Sequence, residues 1–347
     1  MMKVGIAGIG FMGWIHYLAY QRTDCATIQA VFSRNEKKLA GDWRGIQGNF
    51  GPPGEQVDLS GVHTYSGYEQ LLEDPEVELV DICLPPHLHA DATIAALQKG
   101  KHVFCEKPMA LTVEECDAMM RASAESGKLL MIGQVLPMFP EYSQTLEWIR
   151  AGTYGAVRGG TFKRVISDPT WIPDFYDPRS VGGPLVDLHV HDAHWIRMVF
   201  GQPSRVTSAG RMRGDVVEYC HSLFEFADAD YVVHAESGVI AQQGRPFTHG
   251  FELHLEDATL LYEFAVIDGK GELLKPLTVL TSDGKVERPQ LPQADEITPF
   301  VNEIEEVARS VESGTPSDIL GGDLARDALV LCHRQTESVQ QGRPVDV

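Results

Sequence analysis

Residues 3–21 read Lys3-Val4-Gly5-Ile6-Ala7-Gly8-Ile9-Gly10-Phe11-Met12-Gly13-Trp14-Ile15-His16-Tyr17-Leu18-Ala19-Tyr20-Gln21. A short apolar run at 3–7 predicts a buried strand, and the aromatic and aliphatic spacing over 11–21 predicts a helix. Between them lies G-x-G-x-x-G. In that position Gly8 permits a tight turn, Gly10 lets the backbone approach a pyrophosphate, and Gly13 lets helix and strand pack closely. Free N–H groups at the helix start, those of Phe11 and Met12 included, favour an anion.

Working outward, the first third of the chain alternates strand and helix patterns. Strands are expected at 27–32, 79–83, 102–104 and 129–132, and helices at 35–40, 67–72, 90–98 and 113–126. Residues 41–61 are rich in Gly and Pro and read as a loop or insertion. This alternation predicts a doubly wound parallel sheet. After about residue 135 longer alternating segments take over, at 158–165, 205–210, 218–226, 231–239, 251–255, 260–265 and 277–280. Turn signals such as Asp228-Ala229-Asp230 and Ser282-Asp283-Gly284 separate them, and helical patterns interrupt at 185–200, 299–313 and 323–340. The expected fold class is α/β: a Rossmann domain over 1–135, then an α+β domain over 136–347 for substrate binding and oligomerisation, with an open-faced, mostly antiparallel sheet.

Composition sets outer bounds. The chain has 347 residues, 43% of them hydrophobic and 22% charged, which is ordinary globular usage. A formal net charge of −20 disfavours a polyanionic partner, so neither nucleic acid nor an anionic membrane surface is expected. No apolar run approaches the roughly 20 residues that span a bilayer. The N-terminus enters a strand directly, with no signal-peptide pattern. The six scattered cysteines form no C-x-x-C pair and read as reduced thiols in a cytoplasmic protein.

Three further stretches carry chemistry. At the end of the second strand stand Ser33 and Arg34, with Lys38 close behind, where a site selective for a free ribose hydroxyl usually has a carboxylate. A hydroxyl and a guanidinium suit a 2′-phosphate, so NADP(H) is favoured and NAD(H) remains possible. Glu106-Lys107-Pro108 follows a buried strand at the end that lines the ligand crevice, which places Lys107 either beside a cofactor or on the surface paired with Glu106. Gly182-Gly183-Pro184 opens a helix on which Asp187 and His191 are four apart and share a face. A carboxylate beside an imidazole suits His191 as a general base or acid, and a buried hydrogen bond near a helix start is the competing reading. His189, His191, Asp192 and His194 do not supply a metal set at this spacing, and no metal is expected. Upstream, Trp171 and Tyr176 offer aromatic faces for a sugar ring or for loop packing.

These motifs together resemble the Gfo/Idh/MocA family of nicotinamide-dependent oxidoreductases. The carriers are the 8–13 turn, Pro85-Pro86-His87-Leu88-His89, Ala96-Leu97-Gln98-Lys99-Gly100-Lys101-His102-Val103, Glu106-Lys107-Pro108, the 182–191 segment, and Ser338 with Gly342-Arg343-Pro344-Val345. The resemblance runs almost end to end and keeps motif order. It implies hydride transfer between nicotinamide and a secondary alcohol or ketone of a sugar, cyclitol or related polyol. It implies Lys107 as the catalytic lysine with Asp187 and His191 as partners. It places Leu84, Pro85, His87, His89, Glu106 and Lys107 at the cofactor and Gln134 and His189 at the substrate. It also implies a homodimer or homotetramer built on the C-terminal sheet. Two alternatives on the same fold are a glycosidase with a retained NAD and a non-catalytic sensor. Three departures stand out: Pro137 replaces an arginine common in the family, His189 replaces a glycine, and Ser33-Arg34 replaces the aspartate of NAD-preferring members.

Overall fold

The computed structural model describes residues 1–347 except Trp171, Pro173 and Asp228. The chain divides into two compact units, Met1–Phe139 with Gln293–Arg326, and Pro140–Pro292 with Asp327–Val347. In the first, β1 (Met2–Ala7), α1 (Phe11–Tyr20), β2 (Ala26–Phe32), α2 (Glu36–Leu39), β3 (His63–Tyr65), α3 (Tyr68–Glu73), β4 (Leu79–Ile82), α4 (His89–Gln98), β5 (His102–Glu106), α5 (Val113–Ser126) and β6 (Leu130–Gly133) follow in order. The six strands pair in parallel in the order β3-β2-β1-β4-β5-β6. This is the doubly wound arrangement, with its switch point between β1 and β4. β4 is buried at every position, which is why it reads as an unbroken apolar run apart from Asp81. α5 starts with a reciprocal Thr112–Glu115 capping box and stops at Gly127, in the left-handed conformation.

The second unit holds α6 (Pro140–Ala151), β7 (Val157–Ser167), a π-helical turn (Leu185–His189), α7 (Val190–Phe200), and the strands β8 (Arg205–Arg213), β9 (Val216–Glu225), β10 (Val232–Ile240), β11 (Phe247–Leu255), β12 (Ala258–Ile267), β13 (Lys270–Thr281) and β14 (Val286–Glu287). The chain then forms α8 (Thr298–Ser313), α9 (Gly322–Gln341) and β15 (Val345–Asp346). The nine strands run β14-β13-β12-β11-β7-β10-β9-β8-β15, antiparallel except for β7 with β10. One face is covered by helices: Gln335 of α9 donates to Ser222 at 2.8 Å, and Tyr142 of α6 packs edge-on to Trp195 of α7. The other face carries a ladder in which Lys163 stands 3.8 Å from Glu236 and 3.9 Å from Glu263, and Lys275 stands 3.4 Å from Glu263. The expected α/β class, a Rossmann sheet plus an open-faced antiparallel one, is the observed fold.

The differences have local causes. The return of 293–326 to the first unit departs from a simple division at residue 135. Phe300, Ile304 and Val307 of α8 bury in one core with Trp14, Ile15 and Phe104, a pairing that no reading along the chain contains. The α6 helix covers a stretch for which the sequence reading assigned no element. β13 begins at residue 270 rather than 277; its first seven residues are exposed and carry no apolar alternation, so the pattern is visible only from 277 onward. The Asp228 part of the expected Asp228–Asp230 turn lies outside the described residues.

Candidate active site

The glycine turn has the shape its sequence predicts. Gly8 sits at φ +105°, and a Cβ there would meet the Cys83 carbonyl oxygen at 2.6 Å. A Cβ on Gly13 would lie 2.1 Å from the Gly8 carbonyl oxygen, so strand and helix can approach only without one. Gly10 differs, because a Cβ there meets nothing within 4 Å. It is the N-cap of α1, no side chain caps the helix, and the first turn has no acidic residue. The result is an open set of backbone donors at a positive helix end, a cradle that a side chain on Gly10 would fill. These residues fit a dinucleotide pyrophosphate. Phe11 turns its ring onto Phe50 at 4.8 Å, and Phe11 and Met12 both pack on the core, so these two contribute their backbone to the cradle.

At the end of β2, Ser33 is buried and its hydroxyl accepts from the Asn35 N–H at 3.2 Å, while Arg34 is exposed. Lys38 reaches back to donate to the Ile9 carbonyl, and burial lowers its pKa. In this structure its ammonium braces the glycine turn itself.

The β4 and β5 ends meet through His89. Its Nδ1 lies 2.8 Å from the Pro108 carbonyl and its Nε2 2.7 Å from the Leu84 carbonyl. The side chain is buried, and burial lowers its pKa. His89 therefore ties two loops together rather than lining an open wall. Pro85 and His87 are exposed, and Leu84 is half-buried. Glu106 is buried, with one carboxylate oxygen 3.0 Å from His16 and the other accepting the Lys107 N–H at 3.0 Å. Lys107 is half-buried, and the Lys107–Pro108 peptide is cis. Thus Glu106 holds the Lys107 backbone. Gln134, one residue past β6, is fully buried, and its side-chain amide has no hydrogen-bond partner among the described residues. Pro137 is also buried, inside a 3-10 turn at Leu136–Met138.

In the second unit the 182–191 segment opens in a π-helical turn, wider than the α-helix that spacing alone predicts. Asp187, in the π-helical turn, and His191, in α7, are both half-buried. His189 points inward: its ring stacks 6.5 Å from Phe224, and its pKa falls to about 4 because burial disfavours the cation. It is therefore a neutral interior group. Asp192 is anchored by a bidentate ion pair with Arg164 of β7, at 2.7 and 3.2 Å, and this fixes the first turn of α7. The Tyr176 hydroxyl donates to Asp168 at 3.0 Å, and the Arg213 guanidinium lies 3.7 Å over its ring, so its polar end is engaged within the fold. Trp171 lies outside the described residues. Among the described residues, the clusters whose potential ligand atoms converge within 4.8 Å are His16/Asp81/Cys83 and His63/Asp74/Glu76, neither of which includes a residue of the 189–194 set.

Sequence reasoning missed His16, Asp81 and Glu303. A histidine on the apolar face of α1, a charge inside the 79–83 apolar run and a glutamate at a core position of α8 were the available signals.

Strand order and glycine cradle define a dinucleotide-binding α/β protein joined to an open-sheet unit. Residues 2–134 match the oxidoreductase family with NAD-binding Rossmann fold, and residues 142–261 match the GFO/IDH/MocA C-terminal domain. The chain belongs to the Gfo/Idh/MocA family of oxidoreductases. It is 38% identical over 146 residues to an uncharacterized oxidoreductase, ORF334, of Rhizobium meliloti, a match covering 41% of this chain and 43% of that one. It is 24% identical to myo-inositol 2-dehydrogenase of Thermotoga maritima, across 99% of this chain and 98% of that one. The fold superposes on levoglucosan dehydrogenase in complex with NADH and levoglucosan with a TM-score of 0.78, at 20% identity, covering 100% and 99% of the two chains. The protein is therefore an enzyme of the dehydrogenase and reductase type with a nicotinamide cofactor. No helix among the described residues is long and apolar enough to cross a membrane.

Proposed function

We propose that the protein oxidises a secondary alcohol of a sugar, cyclitol or related polyol, or reduces the matching ketone, with NADP(H) preferred over NAD(H). The observation that carries this reading is the half-buried Lys107, held at the carboxyl end of β5 in the same parallel sheet whose β1–α1 turn forms the open glycine cradle. Relatives named for inositol and levoglucosan support the substrate class. The glycosidase and sensor alternatives find no support among these relatives. The bound nicotinamide supplies the acceptor or donor for hydride. The chain supplies the rest. The N–H groups at the start of α1 would bind the pyrophosphate, and Ser33 and Arg34 would hold the adenosine ribose. Lys107 holds the reacting oxygen through Nζ, with Gln134 as a further polar contact. In the second unit His191 moves the proton, and Asp187 orients its ring.

Two further readings accompany this one. The charged, uncovered face of the nine-stranded sheet is the surface for a homodimer or homotetramer, to be checked by light scattering after gel filtration. The six free thiols suit a reducing cytoplasm.

The deciding experiment is a fluorescence titration with NADPH and NADH, followed by a screen of polyols and keto-sugars. NADPH is expected to bind more tightly by roughly tenfold, through a charge-assisted contact from Arg34. Arg34→Ala should erase that difference. Tighter NADH binding by the wild type refutes the cofactor preference and leaves the polyol reading intact.

A further inference from the structure

Beneath the turn that carries Lys107 lies a chain of buried ionisable groups that the proposed reaction does not use. His16 of α1 is wholly buried. Its Nδ1 lies 2.8 Å from Asp81 Oδ2, and its Nε2 lies 3.0 Å from Glu106 Oε1. Asp81 sits on β4 and also accepts the Tyr20 hydroxyl at 3.0 Å. The Cys83 thiol stands 3.5 Å from His16 Nδ1 and 3.4 Å from Asp81. Phe104 stacks flat on the imidazole at 5.3 Å, and Phe300 of α8 packs on it at 6.0 Å. Glu303 of α8 completes the surround: it is fully buried, and its carboxyl has no hydrogen-bond partner among the described residues. α1, β4, β5 and α8 therefore converge on one imidazole.

The electrostatics follow from the partners. Burial opposes charge on His16, but the Asp81 carboxylate reverses this, and the imidazole titrates well above its ordinary value. Glu303 moves up as well, because burial and the neighbouring Glu106 and Asp81 charges disfavour a third anion. The cluster thus favours the charged form of an imidazole set between the Asp81 and Glu106 carboxyl groups, with the Glu303 carboxyl, shifted toward its neutral form, and the Cys83 thiol at its edges. Such charge-assisted bonds are short and directional. The second oxygen of Glu106 continues the chain to the Lys107 N–H. On the other side of Lys107, His89 lies against the Pro108 carbonyl.

We propose that His16 is a positioning residue for Lys107: by bridging Asp81 to Glu106 it fixes the Glu106 carboxylate, which in turn fixes the Lys107 backbone and the direction in which its ammonium is presented. The reaction-level part of this proposal rests on the reading of Lys107 as catalytic. A histidine with no exposed surface cannot touch substrate, and its effect must pass through Glu106.

The test measures amide hydrogen exchange on the cofactor-free protein, peptide by peptide. His16→Gln should speed exchange in the peptide covering 104–110 by roughly 10- to 100-fold, as expected when a buried bond to a charged group is lost. Peptides from β2 and α5 should keep wild-type protection. Ile15→Val, a core change one residue away, controls for general loosening of the unit. If His16→Gln does not fold, Glu106→Gln removes the charge at the receiving end with the shape retained, and the same local increase is expected. Wild-type protection at 104–110 overturns the proposal, as does an increase that only parallels Ile15→Val across the whole unit. With a substrate from the polyol screen, His16→Gln should lower kcat about tenfold while KM and the NADPH dissociation constant stay within about twofold. Full turnover by Lys107→Met would remove the catalytic reading of that lysine, and the exchange result would still decide the positioning role.

Discussion

Replacing Lys107 by methionine is expected to lower kcat by roughly a thousandfold, within the range for losing a positioned proton-transfer group. Methionine keeps the unbranched apolar stem and removes only the ammonium. The turn itself should survive, because its supports are elsewhere: the Lys107 N–H bonds to Glu106, and the Pro108 carbonyl lies against His89. Tight NADPH binding should therefore persist in the inactive variant, since the glycine cradle belongs to the β1–α1 turn. A steady-state assay paired with the fluorescence titration checks both halves. Retained turnover removes Lys107 from the reaction. Lost binding alongside lost turnover makes it a cofactor residue instead.

Alanine at two glycines of the same turn is expected to give opposite results. Gly13→Ala puts a Cβ 2.1 Å from the Gly8 carbonyl oxygen, and backbone cannot move aside cheaply. Stability should fall by roughly 3 kcal/mol, the cost of overpacking a close helix–strand contact, and the melting temperature should drop with or without ligand. Gly10→Ala meets nothing within 4 Å, so the ligand-free protein should melt as the wild type does. Yet its methyl group enters the space in front of the α1 donors, and NADPH affinity should fall by roughly 100-fold through lost phosphate contacts. Thermal melts of both variants, with and without NADPH, separate the two effects. Unchanged affinity in Gly10→Ala would show that the pyrophosphate does not sit on this turn.

Much of the first unit was legible because its signals are local. A buried parallel strand needs a continuous apolar run, and a helix packed into the core needs aromatic and aliphatic residues at helical spacing. The 3–21 stretch contains both, with the glycines between them. Glu106-Lys107-Pro108 was equally visible, as three adjacent residues following such a strand. The same reading gave Tyr176 and His189 as substrate contacts. The fold turns the hydroxyl of Tyr176 to Asp168 and buries the ring of His189 against Phe224, because facing strands and helices offered better partners than solvent. Lys38 shows the same limit: its charge was visible, but its reach to the Ile9 carbonyl was not.

The sequence by itself determined the parallel sheet and the glycine turn, because each is encoded within a few consecutive residues, and it put Lys107 forward as the reacting lysine through a family resemblance. Only the tertiary structure decided what supports that lysine. His16, Asp81, Glu106 and Glu303 come from four elements as far apart as residues 16 and 303, and no periodicity links them. Their meeting depends on α8 returning to pack beside α1, where Phe300 and Ile304 bury with Trp14 and Phe104. Taking the ionisable groups out of water at that contact makes one imidazole hold two carboxylates, and no linear pattern records that burial.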